Sequence, residues 1–148
     1  MGNLSGSSTA EIDAPIDRVW TLVEDVATAP EWQGGLKSVR VIERDGDGRA
    51  VLCESESDAK VRTVKSIVRF SYGGPTELRW TQEKGDMKSV DGSWELEDLG
   101  GDRTRATYAI EVDLGRMLGM VIRGPLVDLL RSMLAGARAG ELKKYAEA

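Results

Sequence analysis

The hydrophobic period of this chain changes twice, and that double change limits the folds open to it. Ile16, Val19, Trp20 and Val23 stand at i, i+3, i+4 and i+7, the apolar face of a helix. Over residues 36–114 the period is two. Leu126, Leu129, Leu130, Met133, Leu134 and Ala137 then return to a helical stripe. A chain written this way lays one sheet against helices that come before and after it.

Ser8, Ala10 and Ile12 alternate with Thr9, Glu11 and Asp13, which predicts a first strand. Ala14-Pro15 opens the first helix, since proline in a first turn gives up no helical hydrogen bond. A second short helix or turn holds Ala29-Pro30-Glu31-Trp32 and ends at Gly34-Gly35. The next strand begins at Leu36 and turns at Asp45-Gly46-Asp47-Gly48, where Asp-Gly supplies the positive φ of a hairpin. Further strands are predicted over residues 50–55, 61–72, 77–82, 87–99 and 103–114, with Gly73-Gly74-Pro75 and Gly100-Gly101-Asp102 as breaks. Trp94 and Leu96 oppose Ser93, Glu95 and Glu97. Ala106, Tyr108, Ile110 and Val112 oppose Arg105, Thr107, Glu111 and Asp113. One apolar and one charged face mark an antiparallel sheet covered on one side. In the last stretch Gly124-Pro125 kinks the helix or marks its start. Asp128, Arg131, Arg138 and Lys144 lie mostly off the apolar stripe. The small residues Ala135, Gly136, Ala137, Ala139 and Gly140 permit close approach or leave space.

Composition removes several chemistries. The 148 residues include 20 basic and 25 acidic side chains, one cysteine and no histidine. The length fits one domain, 1–148. Without histidine there is no Ser-His-Asp triad and no usual zinc or iron ligand, and one cysteine makes no internal disulfide. No metal or cofactor is expected. A net charge of −5 speaks against nucleic acid as a partner. The longest apolar region, residues 117–134, is interrupted by Arg123, Asp128 and Arg131, so stable membrane insertion is not expected. The first ten residues do not read as a signal peptide, and a cytoplasmic location is expected. Met1-Gly2 lacks the Ser or Thr that myristoylation wants at position 6. Asp45, Asp47 and Glu56 match only part of a calcium loop, and the hairpin is preferred. Cys53 reads as a buried, inert thiol. Glu54, Glu56 and Asp58 read as outward and solvated.

The order of elements resembles the helix-grip fold. Ile12-Asp13-Ala14-Pro15, Val19-Trp20, Asp25, Pro30-Glu31-Trp32, Leu78-Arg79-Trp80, Gly92-Ser93-Trp94-Glu95-Leu96 and Thr104-Arg105-Ala106-Thr107-Tyr108 carry the resemblance, with Leu142-Lys143-Lys144 fitting the ending. Together they resemble the SRPBCC (START/Bet v 1-like) superfamily, in its polyketide cyclase/dehydrase and lipid-transport branch, and small actinobacterial members in particular. The resemblance implies an α+β fold: a curved seven-stranded antiparallel sheet round a long C-terminal helix, with two short N-terminal helices and an apolar cavity between sheet and long helix.

Alternation places Ser8, Ala10, Ile12, Val39, Val41, Val51, Cys53, Val64, Val68, Phe70, Leu78, Trp80, Trp94, Leu96, Ala106, Tyr108 and Ile110 on the inner face. The phase of the third and fourth strands stays open. The resemblance sets Trp32 at the cavity mouth, with Met117, Leu118, Met120 and Val121 across it. Candidate ligand contacts are therefore Trp32, Phe70, Trp80, Trp94, Tyr108, Met117 and Met120. The expected partner is a small hydrophobic molecule, a lipid or polyketide-like compound, that is carried or sensed. A cyclase or dehydratase is the first alternative. Its acid would be Tyr108, Tyr72, or an inward arginine such as Arg62 or Arg69. A partner-binding regulatory or toxin-like protein with a vestigial cavity is the second.

Overall fold

The computed structural model describes residues 3–60 and 62–148; the Met1-Gly2 motif and the Val61 strand start fall outside them. Seven strands form one antiparallel sheet: β1 (Asn3–Ile12), β2 (Leu36–Arg44), β3 (Ala50–Asp58), β4 (Thr63–Gly73), β5 (Glu77–Gly85), β6 (Ser89–Gly100) and β7 (Arg103–Asp113). Their spatial order is β1-β7-β6-β5-β4-β3-β2, so the first two strands of the sequence stand at opposite edges. Strands β2 to β7 are joined in succession, while α1 (Ile16–Glu24) and a 3-10 turn (Val26–Glu31) cross from one edge to the other. β1 begins ahead of Ser8, because Leu4 is a core residue.

One local expectation is corrected. Val51 was expected inward, but it is half-buried and Ala50 packs into the core instead. The β2–β3 register shifts between Val41 and Arg44, and such an irregularity changes which residues face inward beyond it.

The C-terminal helix arrives in pieces: α2 (Gly115–Val121), α3 (Pro125–Arg131) and α4 (Arg138–Glu147). The first break falls at Gly124, which has φ 65°, and Pro125 occupies the first turn of α3. The second is a single π-helical segment, Ser132–Gly136. Its mark is the Ala137 amide, which donates to Ser132 O at 2.9 Å, five residues back instead of four. One extra residue in the turn rotates everything after it by one position. The stripe read from sequence continues through Leu134 and Ala137, but the buried series is Ala135, Arg138, Ala139, Leu142 and Ala146. Past this turn the Ala139 amide donates to Ser8 Oγ on β1 at 3.0 Å. Gly6 allows the close approach, since a Cβ there would lie 2.9 Å from Ala135 Cβ.

The interior divides into two clusters. One gathers Trp20, Trp94, Tyr108, Ala139 and Leu142; the other gathers Leu4, Val90, Val112, Leu118, Ile122 and Leu130. Trp80 and Ile110 pack against both. Among the described residues no helix is long and apolar enough to cross a membrane.

Candidate functional site

Between the sheet and the C-terminal helices lies a cavity of about 160 Å³. Its wall on β4 to β7 follows from the period of two: Val68 and Phe70, Leu78 and Trp80, Val90 and Trp94, then Tyr108 and Ile110 all point inward. The ladder sets these side chains side by side, with Phe70 opposite Trp80 and Trp94 opposite both Leu78 and Tyr108. The aromatic rings touch in series. Phe70 to Trp80 is 6.1 Å between ring centres, Trp80 to Tyr108 5.6 Å, Tyr108 to Trp94 4.9 Å and Trp94 to Trp32 6.1 Å. Such spacings fit tilted and edge-on packing, which adds to area burial. Gly92 makes room for the Trp80 indole, which a Cβ at that position would strike.

The polar part of the wall comes from Ser55, Ser57 and Asp58 on β3, Ser66 on β4, Gln33 in the loop after the 3-10 turn, and Arg138 on α4. Arg138 is only 3 % exposed and lines the cavity. Its Nη1 donates to Glu141 Oε1 at 2.5 Å and to Gly34 O at 3.0 Å. Glu141 in turn accepts the Gly34 amide through Oε2 at 3.0 Å. The guanidinium carbon stands 5.8 Å from the Tyr108 ring centre. Burial pushes the Tyr108 phenol up, with the Arg138 charge and hydrogen bonding pulling the other way, so this hydroxyl keeps its proton at neutral pH. Two buried donors have no partner among the described residues: Arg138 Nε and Trp32 Nε1. The Cys53 thiol on the same wall is pushed up to about 11 by burial, which makes it inert.

Trp32, Phe70, Trp80, Trp94 and Tyr108 are thus brought together around one space. Met117 and Met120 are not. They are 80 % and 64 % exposed and do not line it. The seven-residue α2 buries one narrow face through Leu118, with Leu114 and Ile122 one turn to either side, and the methionines fall on the other. Val121 is exposed as well. Neither arginine offered as an inward acid points in. Arg69 pairs with Glu83 and Glu43, and Arg62 with Asp86. Tyr72 donates its hydroxyl to Ala50 O, so it is engaged. Asp58, expected outward, lines the cavity at the end of β3. A helix counted at 3.6 residues per turn points Arg138 away from the apolar stripe, and the π segment turns it inward. The available signal was compositional: one arginine among Ala135, Gly136, Ala137, Ala139 and Gly140.

A curved antiparallel sheet gripping C-terminal helices over an internal cavity defines the helix-grip, START-like class. Solved structures agree. A START superfamily protein from Mycobacterium smegmatis matches with a TM-score of 0.77 at 20% identity, covering 95% of this chain and 98% of its own. The Zhui aromatase/cyclase from Streptomyces sp. R1128 matches with a TM-score of 0.80 at 15% identity, covering 98% and 94%. The di-domain ARO/CYC BexL from the BE-7585A biosynthetic pathway matches at 0.68 and 20% identity, with 99% of this chain on 51% of that one. Comparison with curated proteins by sequence found no match. A family model described as Polyketide cyclase / dehydrase and lipid transport matches residues 12–136, and the chain belongs to that family. The matched stretch ends with the π segment, two residues short of Arg138.

Proposed function

We propose that this protein binds a small, mainly hydrophobic molecule inside the cavity and carries or senses it. The observation that carries the reading is the aromatic wall around about 160 Å³ of internal space. That volume is close to the ~150 Å³ of an engineered apolar cavity that admits benzene. It is smaller than the ~300–1,000 Å³ of common ligand pockets. A ring-sized ligand fits the space as it stands, and a larger one requires the C-terminal pieces to give way. Apolar burial, at about 25 cal/mol per Å², supplies most of the affinity.

A second reading, a cyclase or dehydratase, is favoured by one observation: a buried cation 5.8 Å from the Tyr108 ring. Arg138 and the protonated Tyr108 are both donors that can polarise a carbonyl, the acid half of such chemistry. The fold alone does not choose between the readings.

Native mass spectrometry of the purified protein tests the first. An extra mass released on unfolding supports an occupied cavity and shows its chemical class. A bare polypeptide mass that persists after incubation with fatty acids, sterols and aromatic polyketides overturns it.

A further inference from the structure

We infer that the ligand of this cavity is a neutral molecule with a carbonyl oxygen, and that the oxygen accepts from Arg138 Nε, with Trp32 Nε1 a second donor on the same wall. The inference rests on the cavity being a ligand site, and it adds what that ligand must carry.

The first ground is the pair of orphaned donors. Arg138 Nε and Trp32 Nε1 are buried and unpartnered among the described residues, and both residues line the cavity. A guanidinium and an indole only donate, so neither can satisfy the other. Leaving a buried donor unpaired is costly, and such groups are uncommon in folded proteins. The two belong to the same end of the cavity. Arg138 Nη1 bonds to Gly34 O, two residues after Trp32, and Trp94 packs against both Trp32 and the Tyr108 ring that Arg138 overlies. The Tyr108 hydroxyl at this end already faces Arg138, yet Arg138 Nε and Trp32 Nε1 find no acceptor among the described residues, and a ligand oxygen is the group that can supply one.

The second ground is charge. Arg138 already holds a full counter-charge, because Glu141 lies 2.5 Å from Nη1. That carboxylate also accepts the Gly34 amide at 3.0 Å, so swinging away to make room for another anion would break a second bond as well. A Cβ at residue 34 would sit 2.7 Å from Glu141 Oε2, which shows how closely the loop and the carboxylate fit. A ligand carboxylate would bring a further negative charge to an arginine that Glu141 already neutralises, on a wall that also carries Asp58, and burying an unpaired charge is costly. A ketone, aldehyde or ester oxygen takes the free N–H without that cost.

The test uses three ring-sized probes of nearly equal shape: ethylbenzene, acetophenone and benzoate. Each is titrated into the intact protein, followed by the indole N–H resonance of Trp32 and the tyrosine ring resonances. Acetophenone is expected to bind about 5- to 10-fold tighter than ethylbenzene, the worth of one net hydrogen bond. It should move the Trp32 N–H signal, and benzoate should bind weakest. In Arg138→Met most of the preference for acetophenone is lost while ethylbenzene still binds. Trp32→Phe keeps the ring and removes only the N–H. It halves the preference or better, and it remains informative if Arg138→Met fails to fold. Equal binding of acetophenone and ethylbenzene overturns the carbonyl assignment and leaves the cavity reading standing. Benzoate binding tightest overturns the neutral ligand. No binding by any probe overturns both the assignment and the cavity reading beneath it.

Discussion

The two ends of the cavity are built on different principles. The end around Trp94 and Tyr108 is aromatic and is tied down by polar contacts in addition to packing. Arg138 bridges Gly34 and Glu141, Tyr145 stacks on Trp32 at 6.2 Å and donates to Glu31 at 3.2 Å, and Ser8 takes the Ala139 amide. The end around Leu130 and Ile122 is aliphatic. It is roofed by α2 and α3, two seven-residue helices separated by a glycine–proline break. Apolar contact is non-directional, so the aliphatic end can rearrange at low cost, whereas the aromatic end loses specific geometry if it moves. For the proposed carbonyl ligand, the aromatic end would hold the oxygen and the aliphatic end the apolar remainder.

The largest test of this contrast is a pair of truncations. Trp94→Ala removes a side chain that is 2 % exposed and lies between two other rings, and it should cost about 3–5 kcal/mol. Leu130→Ala on α3 should fall at the low end of the ~2–5 kcal/mol range, because its short helix can settle into the space. Urea unfolding measures both, and equal losses would break the comparison. Gly6→Ala tests the join between β1 and the π segment. The new Cβ meets Ala135 Cβ, which has no rotamer to change, so about 1 kcal/mol should be lost in thermal unfolding.

Alkaline pH sharpens the contrast by titrating the aromatic cluster. The Cys53 thiol, held at about 11 against 9.0 when free, binds its proton more tightly in the folded chain. Its contribution is therefore intact below pH 9 and is lost as pH rises towards 11. The Tyr72 and Tyr108 hydroxyls, also raised by burial, act in the same direction at higher pH. The urea midpoint should fall above pH 9, and fall less in Cys53→Ala. The smallest effect belongs to α2. Met117→Ser, at an 80 % exposed position, should change stability by less than about 0.5 kcal/mol, and a larger loss would mean that this helix packs more tightly than it does here.

Period two was enough to read the sheet. Phe70, Trp80, Trp94 and Tyr108 face inward as alternation requires, because strand side chains cannot drift in phase without an irregularity, and β6 and β7 shift register only at their shared turn. Where β2 shifts against β3, the reading slipped by one residue to Val51. The helices were harder for the same reason. A π turn carries no hydrophobic signature of its own, so one unmarked extra residue turned a surface arginine on paper into the buried Arg138. Met117 and Met120 were read as cavity residues on resemblance and apolar character. Their exposure follows from the one face that α2 buries, along Leu114, Leu118 and Ile122.

The order of strands also has a consequence for how the chain is made. β1 finds its partner only in β7, with Asn3 opposite Asp113. At about 5–20 residues per second, a ribosome that has just released β1 needs on the order of 5–20 s to deliver that partner. During that interval β1 is without its partner strand, and Leu4 and Ile12 are without the packing they have in the folded chain.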